Sequence, residues 1–110
     1  IAQVYSQAGY TYNDLKPDNV LLSFRSKNLD SIHLVDFGFA TKFIDKKGRH
    51  LKLKEVDSFR GNFATASADQ MDFKTTSRRD DLISLVYFGS YLLNGEVPWT
   101  RVEPLDCQKE

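Results

Sequence analysis

Asp14-Leu15-Lys16-Pro17-Asp18-Asn19, followed after a short apolar run by Asp36-Phe37-Gly38, decides how this chain is read. The first segment offers a carboxylate (Asp14), a cation two residues on (Lys16) and a carboxamide five residues on (Asn19), all from one tight loop. The second adds another carboxylate, Asp36. Phosphoryl transfer asks little covalent chemistry of a protein. It needs an oriented hydroxyl, metal ions across the phosphates and positive charge near the transferred group. Asp14, Lys16 and Asn19 supply those parts, and Asp36 completes a hard-oxygen set of the kind magnesium prefers.

The flanking sequence sets both segments beside short strands. Val20-Leu21-Leu22 and Ile32-His33-Leu34-Val35 are apolar runs of strand length. The polar connection from Ser23 to Ser31 between them makes a hairpin the simplest reading. Upstream, residues 1–8 read as the last turns of a helix, with Gly9 suited to a left-handed C-cap. Residues 42–60 read as a long irregular stretch, with seven basic residues (Lys42, Lys46, Lys47, Arg49, Lys52, Lys54, Arg60) against three acidic ones (Asp45, Glu55, Asp57). The strongest helix signal begins at Ser77, where Ser77-Arg78-Arg79-Asp80 fits a capping box. The run from Leu82 to Leu93 is apolar on nearly every face, which predicts a helix inside a core, ended by Asn94-Gly95 with Pro98 beyond. Such a helix needs cover on all sides. That need, and a start at Ile1 in mid-pattern, lead us to expect that the chain is a piece of something longer.

Composition excludes several classes. The 110 residues, 41% hydrophobic and 13% aromatic, suit at most one globular domain rather than a disordered chain. Fifteen basic and fifteen acidic residues cancel, unlike a histone-like or polyacidic protein. One cysteine, Cys107, permits no internal disulfide and no multi-cysteine zinc site, and reads as an incidental thiol. Leu82–Leu93 is about half of what a bilayer crossing needs. With no leader pattern and no glycosylation sequon, the expected setting is cytoplasmic or nuclear, with neither nucleic acid nor membrane as partner.

Taken together, the segments resemble the catalytic loop and Asp-Phe-Gly motif of eukaryotic protein kinases. Lys16 is similar to the serine/threonine pattern. Ser77-Arg-Arg-Asp-Asp-Leu82, Ser84-Leu85 and Val97-Pro98-Trp99 resemble the casein kinase 1 group, as does the absence of an Ala-Pro-Glu triplet, whose counterpart is Gly61 to Ser67. The resemblance covers essentially the whole chain. It implies an α+β fold: the large, C-terminal lobe of a kinase, mainly helical with short antiparallel hairpins, spanning 1–110 without the small ATP-covering lobe. The implied function is transfer of the gamma-phosphoryl group of Mg-ATP to protein serine or threonine hydroxyls. Asp14 would be the base, Lys16 would steady the transferring group, and Asn19 and Asp36 would hold nucleotide-bound Mg2+. Phe37, Gly38, Gly61, Asn62 and Ser67 would shape the activation segment, and Asp81 would anchor the catalytic-loop backbone.

Departures from the pattern temper these expectations. Asn13 stands where kinases usually carry arginine, so a phosphorylated activation loop would lose its cationic partner. Asn62 replaces a threonine that bonds the counterparts of Asp14 and Lys16, and Val86 replaces a customary glycine. No glycine-rich loop, strand lysine or partner glutamate is present, so residues 1–110 alone are expected to be catalytically silent. Two rival readings are a degenerate kinase acting as an interaction module and a small-molecule phosphotransferase, the latter opposed by Lys16 and the Gly61 to Ser67 segment. The basic stretch reads either as a solvated face or, with Arg60, Lys74, Arg78 and Arg79, as an anion site favouring acidic or phosphorylated protein substrates. Tyr87, Phe88 and Tyr91 are expected in the core, Trp99 is expected to pack at a turn, and His33 and His50 are too isolated to bind metal.

Overall fold

The computed structural model describes residues 8–23 and 31–101. The expected helix over 1–8 falls almost wholly outside them, as do most of the hairpin connection and Cys107. Within them the chain is a small α+β unit of two two-stranded antiparallel sheets and two helices. Strand β1 (Tyr10–Thr11) pairs with β4 (Thr41–Lys42), and β2 (Val20–Leu22) pairs with β3 (Ile32–Leu34). Helix α1 is the single turn Ala68–Met71, and α2 runs from Arg78 to Asn94.

The hairpin expected between residues 20 and 35 is present, with Val20 opposite Leu34 and Leu22 opposite Ile32. The β1–β4 pair was not foreseen, because two residues carry no periodicity. Its effect is large. The order β1, loop, β2 runs against β3, loop, β4, so the two connecting loops are pinned at both ends and must face each other. Gly9 takes φ 67, in keeping with the left-handed position expected of it.

Helix α2 begins and ends as its sequence dictates. The Ser77 N–H donates to Asp80 Oδ2 at 2.7 Å, the acidic half of the capping box. At the far end Gly95 adopts φ 78 and its N–H reaches the Tyr91 carbonyl at 2.7 Å. Burial differs from expectation. Asp80, Asp81, Ser84 and Phe88 face inward, whereas Leu82, Val86, Leu92 and Leu93 are exposed and Tyr91 is 38% exposed. Among the described residues Asp81 and Phe88 meet the loop around Tyr12 and Leu15 while much of the apolar surface stays open, so the helix is a wall here rather than a core element. Trp99 does pack at a turn: its ring lies edge-on to Tyr87 with centroids 4.6 Å apart, and its Nε1–H donates to the Ala64 carbonyl.

The apolar centre is small: Tyr12, Leu15 and Phe88, with Val20 and Leu34 against it. The interior is otherwise polar and held by directed bonds. Ser67 caps α1 by accepting the Gln70 N–H, and its own hydroxyl donates to Asp80 Oδ1 at 2.5 Å. The stretch 42–60 is more ordered than its sequence suggested. Asp45 accepts the N–H groups of Lys47 and Arg49 and pairs with the Arg49 guanidinium, closing a turn. Those bonds, chiefly the Arg49 N–H, hold the Asp45 carboxyl below its ordinary pKa.

Gly61 sits at φ 131, and a Cβ there would run into the Gln70 amide and the Asn13 carbonyl. We expect Gly61→Ala to cost about 2–3 kcal/mol, the range for backbone strain combined with steric overlap. Urea denaturation followed by far-ultraviolet dichroism will measure it; an unchanged midpoint would show that the loop does not need this close approach.

Candidate active site

Asp14 lies in the loop between β1 and β2, and its side chain is buried. Asn19, at the end of a single 3₁₀ turn (Pro17–Asn19), reaches back to it: Asn19 Nδ2 donates to Asp14 Oδ2 at 2.9 Å and to the Asp14 carbonyl at 3.0 Å. Pro17 opens that turn because it has no N–H to lose there and its φ is already fixed. Lys16 Nζ stands 4.0 Å from the same Asp14 oxygen and remains partly open to solvent. The other oxygen, Asp14 Oδ1, is buried with no hydrogen-bond partner among the described residues. One carboxylate oxygen is therefore held, and the other is left for something else.

Asp36 arrives from the opposite loop. The Val35 N–H donates to the Asn19 carbonyl at 3.0 Å, extending the β2–β3 ladder by one step, and Asp36 follows at φ 59. This left-handed turn lifts the Asp36 side chain out of the ladder into an exposed position, where Oδ1 accepts the Gly38 N–H at 3.1 Å. Tyr12 ties the two loops together. Its hydroxyl donates to the Val35 carbonyl, and the Phe37 ring packs edge-on against it with centroids 5.1 Å apart.

Asp81 meets the loop from the head of α2. Its two carboxylate oxygens accept the N–H groups of Tyr12, at 2.6 Å, and Asn13, at 2.8 Å. Asn62 does not bond Asp14 or Lys16. Its side-chain oxygen accepts the Ala64 N–H at 2.8 Å, within its own loop. Thr65 makes the tie instead, its hydroxyl donating to the Leu15 carbonyl at 2.7 Å. Thr65 and Gln70, whose amide donates to the Asn13 and Arg60 carbonyls, are the site residues that sequence reasoning missed. Both are common polar types with no spacing signature.

The four cations expected to form an anion site separate. Arg60, Lys74 and Arg79 line one cavity of about 1130 Å³ together with Lys42, Arg49, Lys52 and Lys54 and the carboxylates of Asp45, Glu55 and Asp57. Lys74 and Arg79 already pair with Asp69. Arg78 does not line that cavity; its guanidinium lies over the Phe43 ring, 5.0 Å from the centroid. His50 Nδ1 meets the Leu51 carbonyl, and among the described residues no three His, Cys, Asp or Glu side chains gather as a metal cluster.

Three curated relatives cover most of this chain. The serine/threonine-protein kinase spe-6 of Caenorhabditis elegans is 32% identical over 86% of it. A Dictyostelium discoideum protein named as a serine/threonine-protein kinase is 31% identical over 94%, and casein kinase I homolog 2 of Schizosaccharomyces pombe is 35% identical over 88%. The chain is similar to a segment of these serine/threonine protein kinases. It spans about a quarter or less of those proteins' length, 25%, 21% and 23% respectively. No protein-family model matches it. A kinase-like fold accounts for the two facing loops, and no helix among the described residues is long and apolar enough to cross a membrane.

Burial first, and then the negative charge of Asp14, push the Tyr12 phenol from 10.0 up to about 12; the Asn19 contact works the other way, and Asp36 and Asp81 add smaller upward effects. A proton held more tightly in the folded state stabilises it fully below the ordinary pKa, and that contribution is lost as the pH climbs through the raised one. Stability should therefore fall between about pH 10 and pH 12, by about 3 kcal/mol from this group. Phenolate absorbance compared with Tyr12→Phe isolates the titration, and a midpoint near 10 for Tyr12 would contradict the buried, anion-flanked environment.

Proposed function

We propose that this chain carries the catalytic centre of a serine/threonine protein kinase, one that transfers the gamma-phosphoryl group of ATP to protein hydroxyls. One observation carries the reading: Asp14 is buried with Oδ2 bound by Asn19 and faced by Lys16, while Oδ1 has no partner among the described residues. A carboxylate oriented on one oxygen and unpartnered on the other suits a base that accepts a hydroxyl proton. The substrate oxygen then bonds to the gamma phosphorus as the bond to the beta-phosphate oxygen breaks, and ADP departs. Lys16, close to Asp14 and reaching solvent, supplies positive charge beside the transferred group.

The donor set fits magnesium. Asn19 spends its N–H groups on Asp14, which leaves its carbonyl oxygen as an acceptor, and Asp36 presents an exposed carboxylate from the facing loop. Magnesium takes one or two such oxygens and completes its shell with water and phosphate, so a larger acidic cluster is not required. Bound there, it would neutralise charge on the phosphates. Positioning accounts for much of phosphoryl-transfer catalysis, and residues 1–110 supply one wall of a cleft, so the activity belongs to the chain with a nucleotide-covering element in place.

The cavity lined by Arg60, Lys74 and Arg79 supports acidic or phosphorylated protein substrates, because charge-assisted contacts to carboxylate or phosphate are the stronger ones. The pairing of Lys74 and Arg79 with Asp69 leaves Arg60 and the nearby lysines to make that attraction. A second reading, a degenerate kinase that binds without catalysing, is favoured by Asn62, which turns away from Asp14 and Lys16 to bond Ala64.

In the complete protein, Asp36→Asn should abolish magnesium-dependent phosphorylation while the fold survives. Asp14→Asn should lose roughly 10²–10⁴-fold in kcat, the usual contribution of a positioned base. Transfer of labelled phosphate to casein, an acidic general substrate, measures both; complete silence of the unmutated protein would favour the binding module. Acidic peptides should outpace basic ones at low salt, with the margin shrinking as ionic strength rises. Equal rates on the two libraries at low salt would remove the substrate preference.

A further inference from the structure

Asn13 precedes Asp14 and is the meeting point of three segments. Its N–H donates to Asp81 at the head of α2, and its carbonyl accepts from Gln70 of α1. Its side-chain Nδ2 donates twice into the segment that follows Asp36-Phe37-Gly38, to the Phe39 carbonyl at 2.8 Å and to Thr41 Oγ1 at 2.9 Å. The Phe39 carbonyl can only accept, so the amide must present its nitrogen there, and its orientation is fixed by chemistry. Asn13 Oδ1 is consequently buried without a partner among the described residues, a cost tolerated to keep Nδ2 in place. The backbone has φ 68, a left-handed conformation that asparagine accepts more readily than most side chains.

Thr41 is itself fixed. Its hydroxyl lies 3.1 Å from that of Thr11 and 3.2 Å from that of Thr76, so three hydroxyls close a triangle joining β1, β4 and the approach to α2. The Asn13 amide docks onto this triangle without any charged partner.

We infer that Asn13 is a positioning residue: its carboxamide latches the segment after Asp36 onto the loop bearing Asp14, and so sets the two carboxylates relative to each other. The inference rests on the kinase reading for its functional consequence, but the latch itself is a property of the fold. The neutral amide works through short directed bonds, so it holds the segment independently of ionic strength and of any added phosphate.

The experiment uses two variants that tolerate the left-handed backbone. Asn13→Asp keeps the shape but removes both N–H donors, and Asn13→Gly removes the side chain while easing the backbone. In the complete protein, amide hydrogen exchange over Ala40 to Phe43 should quicken tenfold or more in both variants, while the Val35 amide, bonded to Asn19, keeps its protection. In the phosphorylation assay kcat should fall by about 10–100-fold, as expected of a displacement near 1 Å, with KM for ATP little changed. Unchanged exchange over Ala40 to Phe43 in both variants, or a rise in KM with kcat preserved, overturns the proposal. If the unmutated protein transfers no phosphate, the kinase reading fails; exchange that still quickens as described then upholds the latch.

Discussion

The Asp81 carboxylate, buried at the start of α2, accepts the backbone N–H groups of Tyr12 and Asn13 with one oxygen each. Those two amides belong to a loop that has just left β1 and cannot join a ladder, since Asn13 turns through φ 68. Buried and unpaired, each would carry a desolvation penalty of about 1–3 kcal/mol, whereas a bond to a charged acceptor is worth about 1.5–3 kcal/mol. Asp81 therefore fixes where the chain can turn. Once Tyr12 is fixed, its ring packs with Leu15 and Phe88, and its hydroxyl captures the Val35 carbonyl beside Asp36. The opposite loop is thus positioned through a residue 69 places away from the carboxylate that starts the chain of contacts.

How much of this could be read beforehand depends on the kind of signal each element carries. Helix α2 was legible at both ends, because Ser77, Asp80 and Gly95 are local determinants whose effect needs no tertiary partner. The β2–β3 hairpin was legible for a similar reason, two apolar runs and a polar link. Asp14, Lys16, Asn19 and Asp36 were legible as residue types at fixed spacing, and the structure assembles the loops that bear them. The β1–β4 pair was not legible: its two-residue strands are stabilised by side chains of Thr11, Thr41 and Thr76, which come from three distant segments. Thr65 and Gln70 were missed on the same grounds, since each acts on a backbone carbonyl that local sequence does not reveal.

The same distinction explains where burial was misjudged. An apolar run on nearly every face made Leu82–Leu93 look like a core helix, yet the buried residues of α2 here are Asp80, Asp81, Ser84 and Phe88. Apolar count measures how much surface a helix would gain by covering, not which face the neighbouring segments reach. The segments that lie against α2 here are loops with backbone amides to satisfy, and the Asp81 carboxylate rather than a leucine meets them. A polar interior of this sort gains specificity from direction rather than from area, because each bond admits one register while apolar contact admits several.

Directionality also explains how irregular loops can hold reactive groups steady. Neither the loop from Tyr12 to Asn19 nor the one from Val35 to Ala40 is regular, but the pair is closed by strands at each end and crossed by bonds between: Val35 to Asn19, Tyr12 to Val35, Asn13 to Phe39. A loop so tied loses little further entropy on binding a ligand, since its backbone is already ordered. The cross-ties fall on either side of Asp14, while Asn19 and Lys16 engage only one oxygen of its carboxylate. The scaffold consequently ties the chain on both sides of Asp14 while its Oδ1, like Asn13 Oδ1 and Gln70 Oε1, has no partner among the described residues. Of these three acceptors only the Asp14 oxygen belongs to a carboxylate, and a buried carboxylate oxygen without a donor is the costliest of the three to leave unpaired, which is why the proposed chemistry is assigned to it.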